Sequence, residues 1–535
     1  MNRGVRNEPG TESPNKASRE GMICRINCRL FLPAISIVGI VFALTTNIES
    51  VPPLWRDEGW TISVARNWVE LGHYGRLKNG ALAPRGLEGG TPVVASVALS
   101  FLLFDVGVYQ ARLVFVAYTL AALALLYYLA HRFYNRAIAI GSLGVLIFLS
   151  SHADLHPFIM GRQVLGEVPA IVFLLLGLMC FLFAGEKSLW FILPSILFWS
   201  IALITKAQVQ PFWVMSLAIP LMVTLCRRNW RAASLLGAGL IGAYLLSLAW
   251  LQFIAGLQSM HRPPLSGLTQ VIALALNKHS RSAVLMETYQ FGLPTLLGFC
   301  WAFWVLLRKS NHFENHTDVV RLAFLVLAGS WFAWYEFLSI GWVRYMFPPV
   351  FLGSIFVAAM LFDWTERFNF ASTIKRAGGA IRSFHLSSGS LSALAAIVLV
   401  AMSLARTGTI LYGAYVVTPD NSVMEVAQFL NTRTSPQALI ETYESELLAF
   451  LKRRYHYPPD QTAVELIRKF SFGERVTIDY DPLAADPDFL VIGPTNRFWD
   501  FYDPYLKTGA FRLLQSYSRY DIYERVRTSP MSPNS

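Results

Sequence analysis

Charged residues are scarce in this sequence of 535 residues: Asp, Glu, Lys and Arg make up only 15% of it. Soluble domains carry about 25% charged residues. Hydrophobic residues make up 54% of the chain, so the composition indicates a membrane protein. The formal net charge is +11, but the basic residues lie mainly in the N-terminal tail and between apolar segments, as in cytoplasmic loops. This distribution argues against a protein that binds nucleic acid.

Cysteine is also scarce, and several common functional motifs are missing. The five cysteines are Cys24, Cys28, Cys180, Cys226 and Cys300. The residues after 417 contain none, which excludes a disulfide-stapled C-terminal domain, and the first two cysteines lack partner ligands at zinc spacing. We therefore predict reduced thiols. The sequence has no Gly-rich phosphate loop, no zinc-protease motif and no evident internal repeat, so neither nucleotide chemistry nor an inverted-repeat transporter is indicated.

What the sequence has in abundance is long apolar runs, and eleven of them approach the ~20 residues that a transmembrane helix needs. They are centred on 30–48, 110–130, 137–152, 165–184, 189–205, 208–226, 232–255, 290–307, 321–341, 345–362 and 390–416. The basic connections 131–136, 226–231, 308–321 and 363–382 are placed in the cytoplasm by the positive-inside rule. The apolar segment 92–106 does not fit this alternation. It is a re-entrant or interfacial element or a further crossing, so up to thirteen spans are allowed.

These segments divide the chain into predicted domains. Residues 1–29 form a cytoplasmic tail and 30–416 a transmembrane domain, within which 49–109 is an outer loop with interfacial helices. Residues 417–527 form an extracytoplasmic domain, and 528–535 a disordered tail. The predicted fold class is an all-α polytopic membrane bundle of about 11–13 helices with a small C-terminal α/β domain. The predicted location is the plasma (inner) membrane, with a cytoplasmic N-terminus.

Hydrophobic periodicity predicts the elements of the C-terminal domain. Helices are expected at 423–431, 444–455 and 502–508, strands at 438–441 and 489–492, and a strand pair at 511–523.

The sequence WRDEGW at residues 55–60 follows the first apolar segment and contains two adjacent carboxylates, Asp57 and Glu58. Such groups beside a membrane are costly unless they face water, a cation or a substrate. A short interfacial helix is predicted by the spacing of Trp60, Val64, Trp68 and Leu71, with a stop at Gly72 and Gly75. Asp57 either caps this helix or belongs to a catalytic pair.

Further polar residues fall in predicted outer loops or at outer helix ends, and they are Glu88, Arg162, Glu167, Lys206, Arg344 and Tyr345. Carboxylates and cations at one surface suit a reaction in which a base activates a hydroxyl and cations neutralise a departing phosphate. The plainer interpretations are that Lys206 and Arg344 snorkel to head groups and that Glu167 complements a helix dipole. His261 and His279 are metal-ligand candidates that are more often simply solvated.

Five sequence blocks, taken in order, resemble the polyprenyl-phosphate-dependent glycosyltransferases, the superfamily of protein O-mannosyltransferases and lipid A aminoarabinose transferases. The blocks are Asp57-Glu58 and residues 88–92, 162–169, 204–206 and 344–348. The sequence departs from the family at three of them. Gly89-Gly90-Thr91 replaces a block that normally carries a lysine, Glu167 replaces an Asp, and Ala207 replaces a Gly.

The resemblance implies a role for each candidate residue. It makes Asp57 the catalytic base and Glu58 its acidic neighbour, and it assigns the donor phosphate to Lys206, Arg344, Tyr345 and Arg162. Glu88 and Glu167 would shape the substrate cavity or bind an optional divalent cation, the one cofactor considered.

The implied activity is inverting hexosyl or pentosyl transfer at the outer face of the membrane. The donor is a polyprenyl-phosphate-linked sugar delivered through the lipid bilayer, and the acceptor is a protein, lipid or glycan. The alternatives are a lipid-linked glycan ligase or polymerase, and a polytopic lipid flippase or transporter.

Overall fold

The computed structural model describes residues 35, 37–84, 86–257, 265–308, 315–383 and 387–527. The predictions for the tails, for Cys24 and Cys28 and for His261 lie outside these residues, as does the side chain of His279. Residues 37–45 are helical and belong to a unit separate from Asn47–Ser535.

The part of the chain before the C-terminal domain is almost entirely helical. Its helices are α1 (Arg56–Leu71), α2 (Thr91–Phe104), α3 (Val108–Phe133), α4 (Arg136–Phe148), α5 (Pro157–Met160), α6 (Glu167–Glu186), α7 (Ile192–Thr205), α8 (Val209–Cys226), α9 (Trp230–Leu257), α10 (Leu268–Ile272), α11 (Lys278–Glu287), α12 (Leu293–Arg308), α13 (His316–Leu338), α14 (Phe347–Trp364), α15 (Phe370–Ser383) and α16 (Ser388–Tyr415). Short 3₁₀ turns at Ala153–Leu155, Leu189–Phe191 and Val343–Met346 and a π turn at Thr288–Gly292 join some of them.

Among the described residues, eight helical segments are long and apolar enough to cross a membrane. The apolar segments α2, α4 and Leu189–Thr205 are shorter. Every predicted span after the first overlaps a described helix, which confirms the predicted multi-pass helical bundle. The 92–106 segment is the helix α2, and its length of 14 residues is below the usual span.

The bundle has a buried centre and a periphery. In its most apolar window α14 is 89% buried, whereas the corresponding windows of α9 and α16 are 17% and 22% buried. α14 is therefore the central helix, and the side chains at its N-terminal end are held by packing on many sides. Arg344 lies in the 3₁₀ turn just before it.

α1 ends as predicted, at Gly72, whose φ of 71° is left-handed and suits glycine. Its start corrects one interpretation of Asp57. The N-cap is Trp55, with no side-chain capping bond, and Asp57 lies inside the first turn. Capping is therefore wrong for Asp57, because an ion pair described below occupies its carboxylate.

A β-hairpin follows α1, formed by β1 (Arg76–Lys78) and β2 (Ala81–Ala83) in antiparallel register. Its turn residues Asn79 and Gly80 both have positive φ, 51° and 78°, as a tight two-residue hairpin turn requires. The Asn79 amide donates to the carbonyl of Tyr455 in the C-terminal domain at 2.7 Å.

The C-terminal α/β domain is confirmed. Its elements are α17 (Ser422–Arg433), β3 (Leu439–Thr442), β4 (Arg454–His456), α18 (Asp460–Phe472), β5 (Phe489–Ile492), α19 (Pro494–Trp499), α20 (Asp503–Leu506), β6 (Phe511–Ser516) and β7 (Asp521–Arg525), with 3₁₀ turns at Ser445–Ala449 and Pro482–Ala485. The sheet order is β4-β3-β5-β7-β6, parallel among the first three strands and antiparallel thereafter.

The predicted helix at 444–455 is wrong. The segment forms the 3₁₀ turn Ser445–Ala449 and then β4, in which Tyr455 pairs with Ile440 of β3. Pairing with the sheet and packing on α1 outweigh the local helical spacing. The helix α18 and the strand β4 were not predicted.

One hydrophobic core joins α1 to the C-terminal domain. It includes Trp60 and Val64 of α1 together with Leu447, Tyr457 and Ile522. The Trp60 and Tyr457 rings meet edge to face with centroids 4.7 Å apart. The C-terminal domain is thus packed directly on the helix that carries Asp57.

Candidate active site

Asp57 forms an ion pair with Arg344, a residue 287 positions later in the chain. Arg344 Nη1 donates to Asp57 Oδ2 at 2.5 Å. Three rings surround the guanidinium, with centroids 4.5 Å (Trp55), 5.1 Å (Trp342) and 5.2 Å (Tyr345) from Arg344 Cζ. This aromatic cage restricts the arginine to one position. The Trp55 Nε1 group is buried and has no hydrogen-bond partner among the described residues.

A second ion pair lies beside the first. Lys206, the residue after α7, contacts Glu167, the first residue of α6. Lys206 Nζ also lies 5.8 Å from the ring centroid of Tyr345, so the two pairs share one aromatic neighbour. These contacts argue against snorkelling for both Lys206 and Arg344, since each engages a carboxylate of the protein.

The charge balance of this cluster keeps Asp57 ionised. Burial raises the pKa of the Asp57 carboxyl, but the charge and hydrogen bond of Arg344 and the charges of Arg56 and Lys206 outweigh it. The pKa of Asp57 is therefore below its ordinary value. Burial lowers the pKa of the Lys206 ammonium, against the opposing effect of Glu167.

Glu58 lies in a different environment from Asp57. Arg112 of α3 holds both of its carboxylate oxygens, at 2.6 and 3.0 Å, and the Val164 amide donates to it at 2.9 Å. Both side chains are 0% exposed. Arg112 also donates to the carbonyls of Ile48 and Pro52, each at 2.8 Å. With its lone pairs occupied and no access to substrate, Glu58 suits a structural role better than the catalytic one implied by the resemblance.

Glu88 lies in an ion-pair cluster that reaches the C-terminal domain through Arg76. Its carboxylate lies 3.0 Å from Arg76 Nε, and Arg76 Nη1 donates to both oxygens of Asp460 at 2.9 and 3.0 Å. The Arg76 guanidinium also lies 3.9 Å from the ring centroid of Trp60. Glu88 is thus part of a buried cluster under the C-terminal domain, distinct from the Asp57–Arg344 pair.

Arg162 also lies outside the two neighbouring ion pairs of Asp57 and Glu167. It is 0% exposed and donates to the carbonyl of Val51 at 3.0 Å and to the hydroxyl of Tyr415 at 2.7 Å. Arg162 and Glu167 therefore have different partners, Tyr415 and Lys206. Of the eight predicted site residues, the structure brings together Asp57, Glu167, Lys206, Arg344 and Tyr345.

Comparison with solved structures places this architecture among known folds. ArnT from Cupriavidus metallidurans bound to undecaprenyl phosphate matches with a TM-score of 0.62 and 14% identity over 94% of this chain and 100% of that chain. Its apo form gives 0.58, with 15% identity over 94% and 98% of the two chains. The chain shares their fold. ArnT is the lipid A aminoarabinose transferase, so the predicted resemblance is confirmed at the level of the fold.

A more distant likeness extends to oligosaccharyltransferases. AglB from Archaeoglobus fulgidus, in complex with an inhibitory peptide and a dolichol-phosphate, matches with a TM-score of 0.52 and 9% identity. The match covers 88% of this chain and 70% of that one. No protein-family model and no curated protein matches the sequence.

Packing explains the glycines at positions 89 and 90, where the similar family normally carries a block with a lysine. A Cβ on Gly90 would lie 2.3 Å from the carbonyl oxygen of Thr205, next to Lys206. The Gly89 amide donates to the hydroxyl of Thr61 in α1 at 3.1 Å. The block therefore brings α1 and the end of α7 close together, a role that a larger side chain at Gly90 would prevent.

A divalent cation does not fit the carboxylates predicted to bind one. Glu88 and Glu167 already face Arg76 and Lys206, and no group of three His, Cys, Asp or Glu side chains suited to a metal occurs in the described ranges. We therefore derive no step through a metal ion.

The partners of these charged groups are not predicted by the sequence motifs. A charged partner for Arg112 could have been predicted, because Arg112 is the only Asp, Glu, Lys or Arg in the apolar run 108–130. A charge inside a membrane implies a partner. No sequence pattern predicts the contacts of Arg56, Tyr443 and Asp460, because these contacts join residues almost 390 positions apart.

Proposed function

We propose that this protein is an integral-membrane inverting glycosyltransferase that moves a sugar from a polyprenyl-phosphate donor to an acceptor on the extracytoplasmic face. The observation that carries the proposal is the cluster of one ionised carboxylate, Asp57, with two cations, Arg344 and Lys206. The undecaprenyl phosphate and dolichol-phosphate in two structures of the same fold support it further.

In the proposed reaction, the donor phosphate binds between Arg344 and Lys206. Its oxygens compete with Asp57 for the Arg344 guanidinium, because arginine binds carboxylate and phosphate with the same donors. The buried Trp55 Nε1 beside Arg344 would gain an acceptor from the phosphate. Donor binding thus frees Asp57 from its ion pair and makes it a stronger base.

The acceptor hydroxyl then loses its proton to Asp57, and its oxygen attacks the anomeric carbon of the sugar. The bond between that carbon and the phosphate oxygen breaks on the opposite face, which inverts the configuration. The polyprenyl phosphate leaves with its charge neutralised by Arg344 and Lys206, a form of electrostatic stabilisation that is often the largest contribution to catalysis. Tyr345, between the two cations, holds their relative position.

The test compares lipids and envelope glycans by mass spectrometry in a strain of the native host that lacks the gene. We expect donor polyprenyl-phosphate sugar to accumulate and one sugar to be missing from the acceptor, with recovery on complementation by wild type but not by Asp57→Asn. Asp500→Asn, an exposed carboxylate in a left-handed position that Asn tolerates, is the matched control and should complement fully. An unchanged lipid and glycan profile in the deletion strain would contradict the proposal.

A second candidate function is the transfer of whole glycans, which the likeness to an oligosaccharyltransferase favours. The same mass spectra separate the two candidates, because one predicts the loss of a single sugar and the other the loss of an entire chain. A flippase would instead move the donor across liposomes without consuming it.

A further inference from the structure

Arg56 precedes Asp57 on the first turn of α1, and its side chain reaches the C-terminal domain. Arg56 Nη2 donates to the Tyr443 hydroxyl at 2.9 Å, and Arg56 Cζ lies 4.2 Å from the Tyr443 ring centroid. Tyr443 is 1% exposed. One tyrosine therefore fixes the guanidinium both by a hydrogen bond and by its ring.

The backbone of this turn is held by the same segment. The Ser445 hydroxyl donates to the Arg56 carbonyl at 2.6 Å. A Cβ on Gly59 would lie 2.2 Å from the Ser445 carbonyl oxygen, so only glycine allows this approach. The turn that carries Asp57 is thus in close contact with residues 443–446 of the C-terminal domain.

Tyr443 itself is fixed by the core of the C-terminal domain. Its ring packs on Phe501 with centroids 5.6 Å apart, and Phe501 stacks on Tyr480 at 5.7 Å. The hydroxyls of Tyr480 and Tyr502 both donate to the buried Glu441 at 2.6 Å. Tyr443 is therefore a rigid anchor, because movement of its ring would disturb this packing.

Arg56 acts electrostatically on Asp57 from the side of the C-terminal domain. The charged and titratable groups that face Asp57 are Arg344, Arg56, Lys206, Tyr345 and Glu58. Arg56 in turn faces Tyr443, Asp57 and Asp460. Arg344 and Lys206 are the candidates for the donor phosphate, so Arg56 is the remaining cation whose charge lowers the pKa of Asp57.

We propose that Arg56, anchored by Tyr443, is a positioning residue for Asp57, so that the C-terminal domain completes the active site of the membrane domain. The inference rests on the proposed function in that Asp57 is taken as the reacting carboxylate. It adds that Arg56 and Tyr443, which is 387 positions later in the chain, are required to hold the Asp57 carboxylate for reaction.

The first readout needs no substrate. A water-soluble carbodiimide modifies protonated carboxyl groups, and peptide mass spectrometry of the full-length protein in lipid nanodiscs gives the pH midpoint of Asp57 modification. Arg56→Gln removes a nearby positive charge, so we expect its midpoint to rise by about 0.5–1 pH unit. Arg56→Lys should restore most of the wild-type value. Arg512→Gln, which removes a highly exposed charge of the C-terminal domain, should leave the midpoint unchanged.

The second readout is turnover, measured by release of polyprenyl phosphate from the lipid-linked sugar that accumulates in the deletion strain. Tyr443→Phe removes one hydroxyl and leaves the charge of Arg56 in place. We expect its kcat to fall about tenfold with the donor KM within twofold, since misplacing a reacting group costs rate more than binding. Its unfolding temperature should stay close to wild type. This variant also tests the Arg56–Tyr443 contact, which we call the tether, if Arg56→Gln does not fold.

The outcomes separate this inference from the proposed function. If wild type releases no polyprenyl phosphate but Arg56→Gln still shifts the Asp57 midpoint, the proposed function fails and the tether remains. If wild type turns over and neither Arg56→Gln nor Tyr443→Phe differs from it in midpoint or kcat, the tether is overturned.

Discussion

Asp57 and Glu58 are adjacent in α1, yet their carboxylates lie in two different pockets. The Asp57 side chain is 31% exposed and paired with an arginine that is 14% exposed, whereas Glu58 and Arg112 are both 0% exposed. The Glu58 pocket is complete, because Arg112 and a backbone amide occupy the carboxylate. The Asp57 pocket remains accessible, and the Trp55 Nε1 donor beside it has no acceptor among the residues that the structure describes. In the proposed reaction, two neighbouring carboxylates therefore have different roles, with Glu58 contributing to stability and Asp57 to reactivity.

The largest expected effect on stability is in the Glu58 pocket. Glu58→Gln leaves the Arg112 charge buried without a counter-ion, which typically costs about 3–5 kcal/mol. We expect a large drop in the unfolding temperature, measured by thermal denaturation in nanodiscs. Glu70→Gln, in the exposed Arg66–Glu70 pair of the same helix, should cost less than about 0.5 kcal/mol. A wild-type unfolding temperature for Glu58→Gln would show that the pocket is not structural.

The Asp57 pocket should show the opposite behaviour when its cation is removed. Arg344→Gln removes a donor to the leaving phosphate, and the loss of one such donor costs roughly 10²–10³ in kcat. Its unfolding temperature should change little, because the pair is partly exposed. The measurement is polyprenyl-phosphate release per folded molecule. Full activity in this variant would remove Arg344 from the proposed reaction.

A substitution at Gly59 tests the contact between α1 and the C-terminal domain without changing either carboxylate. Gly59→Ala places a Cβ against the backbone of Ser445, and such overpacking costs about 1–3 kcal/mol. We expect a moderate loss of stability together with reduced turnover, because the contact lies in the same helical turn as Asp57. Gly72→Asn, at the left-handed C-cap of the same helix, is a milder backbone change away from Ser445 and should retain turnover. Equal turnover in both variants would show that contact with the C-terminal domain does not affect the site.

The smallest expected effect is a difference between two pH profiles. The pKa of Asp57 is lowered in the free protein, chiefly because Arg344 outweighs the effect of burial. Asp57, the proposed base, is then ionised at neutral pH, and activity should be lost only as the pH falls through this lowered value. The profile of kcat/KM reports the free enzyme and that of kcat the donor complex.

When the donor phosphate engages Arg344, the pKa of Asp57 should rise. The acidic limb of kcat should therefore lie at higher pH than that of kcat/KM, by about one unit. If the acidic limbs of the two profiles coincide, Arg344 does not exchange its bond to Asp57 for one to the donor phosphate.

The sequence predicted the local features of this fold well. Apolar runs located the described spans, and Gly72 ended α1 where expected. The segment 444–455 was predicted wrongly because its structure depends on pairing with β3 and packing on α1, neither of which is visible in a local pattern.

The site was predictable as a set of residues but not as a set of pairs. The motif blocks predicted Asp57, Lys206 and Arg344 as site residues. Spacing cannot show that Arg112, 54 positions after Glu58, binds the Glu58 carboxylate in a separate pocket. Nor can it show that Arg56 meets Tyr443, because contacts of such separation are fixed only when the C-terminal domain packs on α1.

The most direct test of the central claim is the transfer rate per folded molecule in Asp57→Asn and Glu58→Gln, with the folded fraction measured on the same nanodisc samples. We expect Asp57→Asn to unfold at the wild-type temperature and to lose about 10²–10⁴-fold in rate, the usual contribution of a general base. Glu58→Gln should be less stable but close to wild type in rate per folded molecule. Wild-type turnover in Asp57→Asn, or equal inactivity of the folded fraction in both variants, would contradict the account.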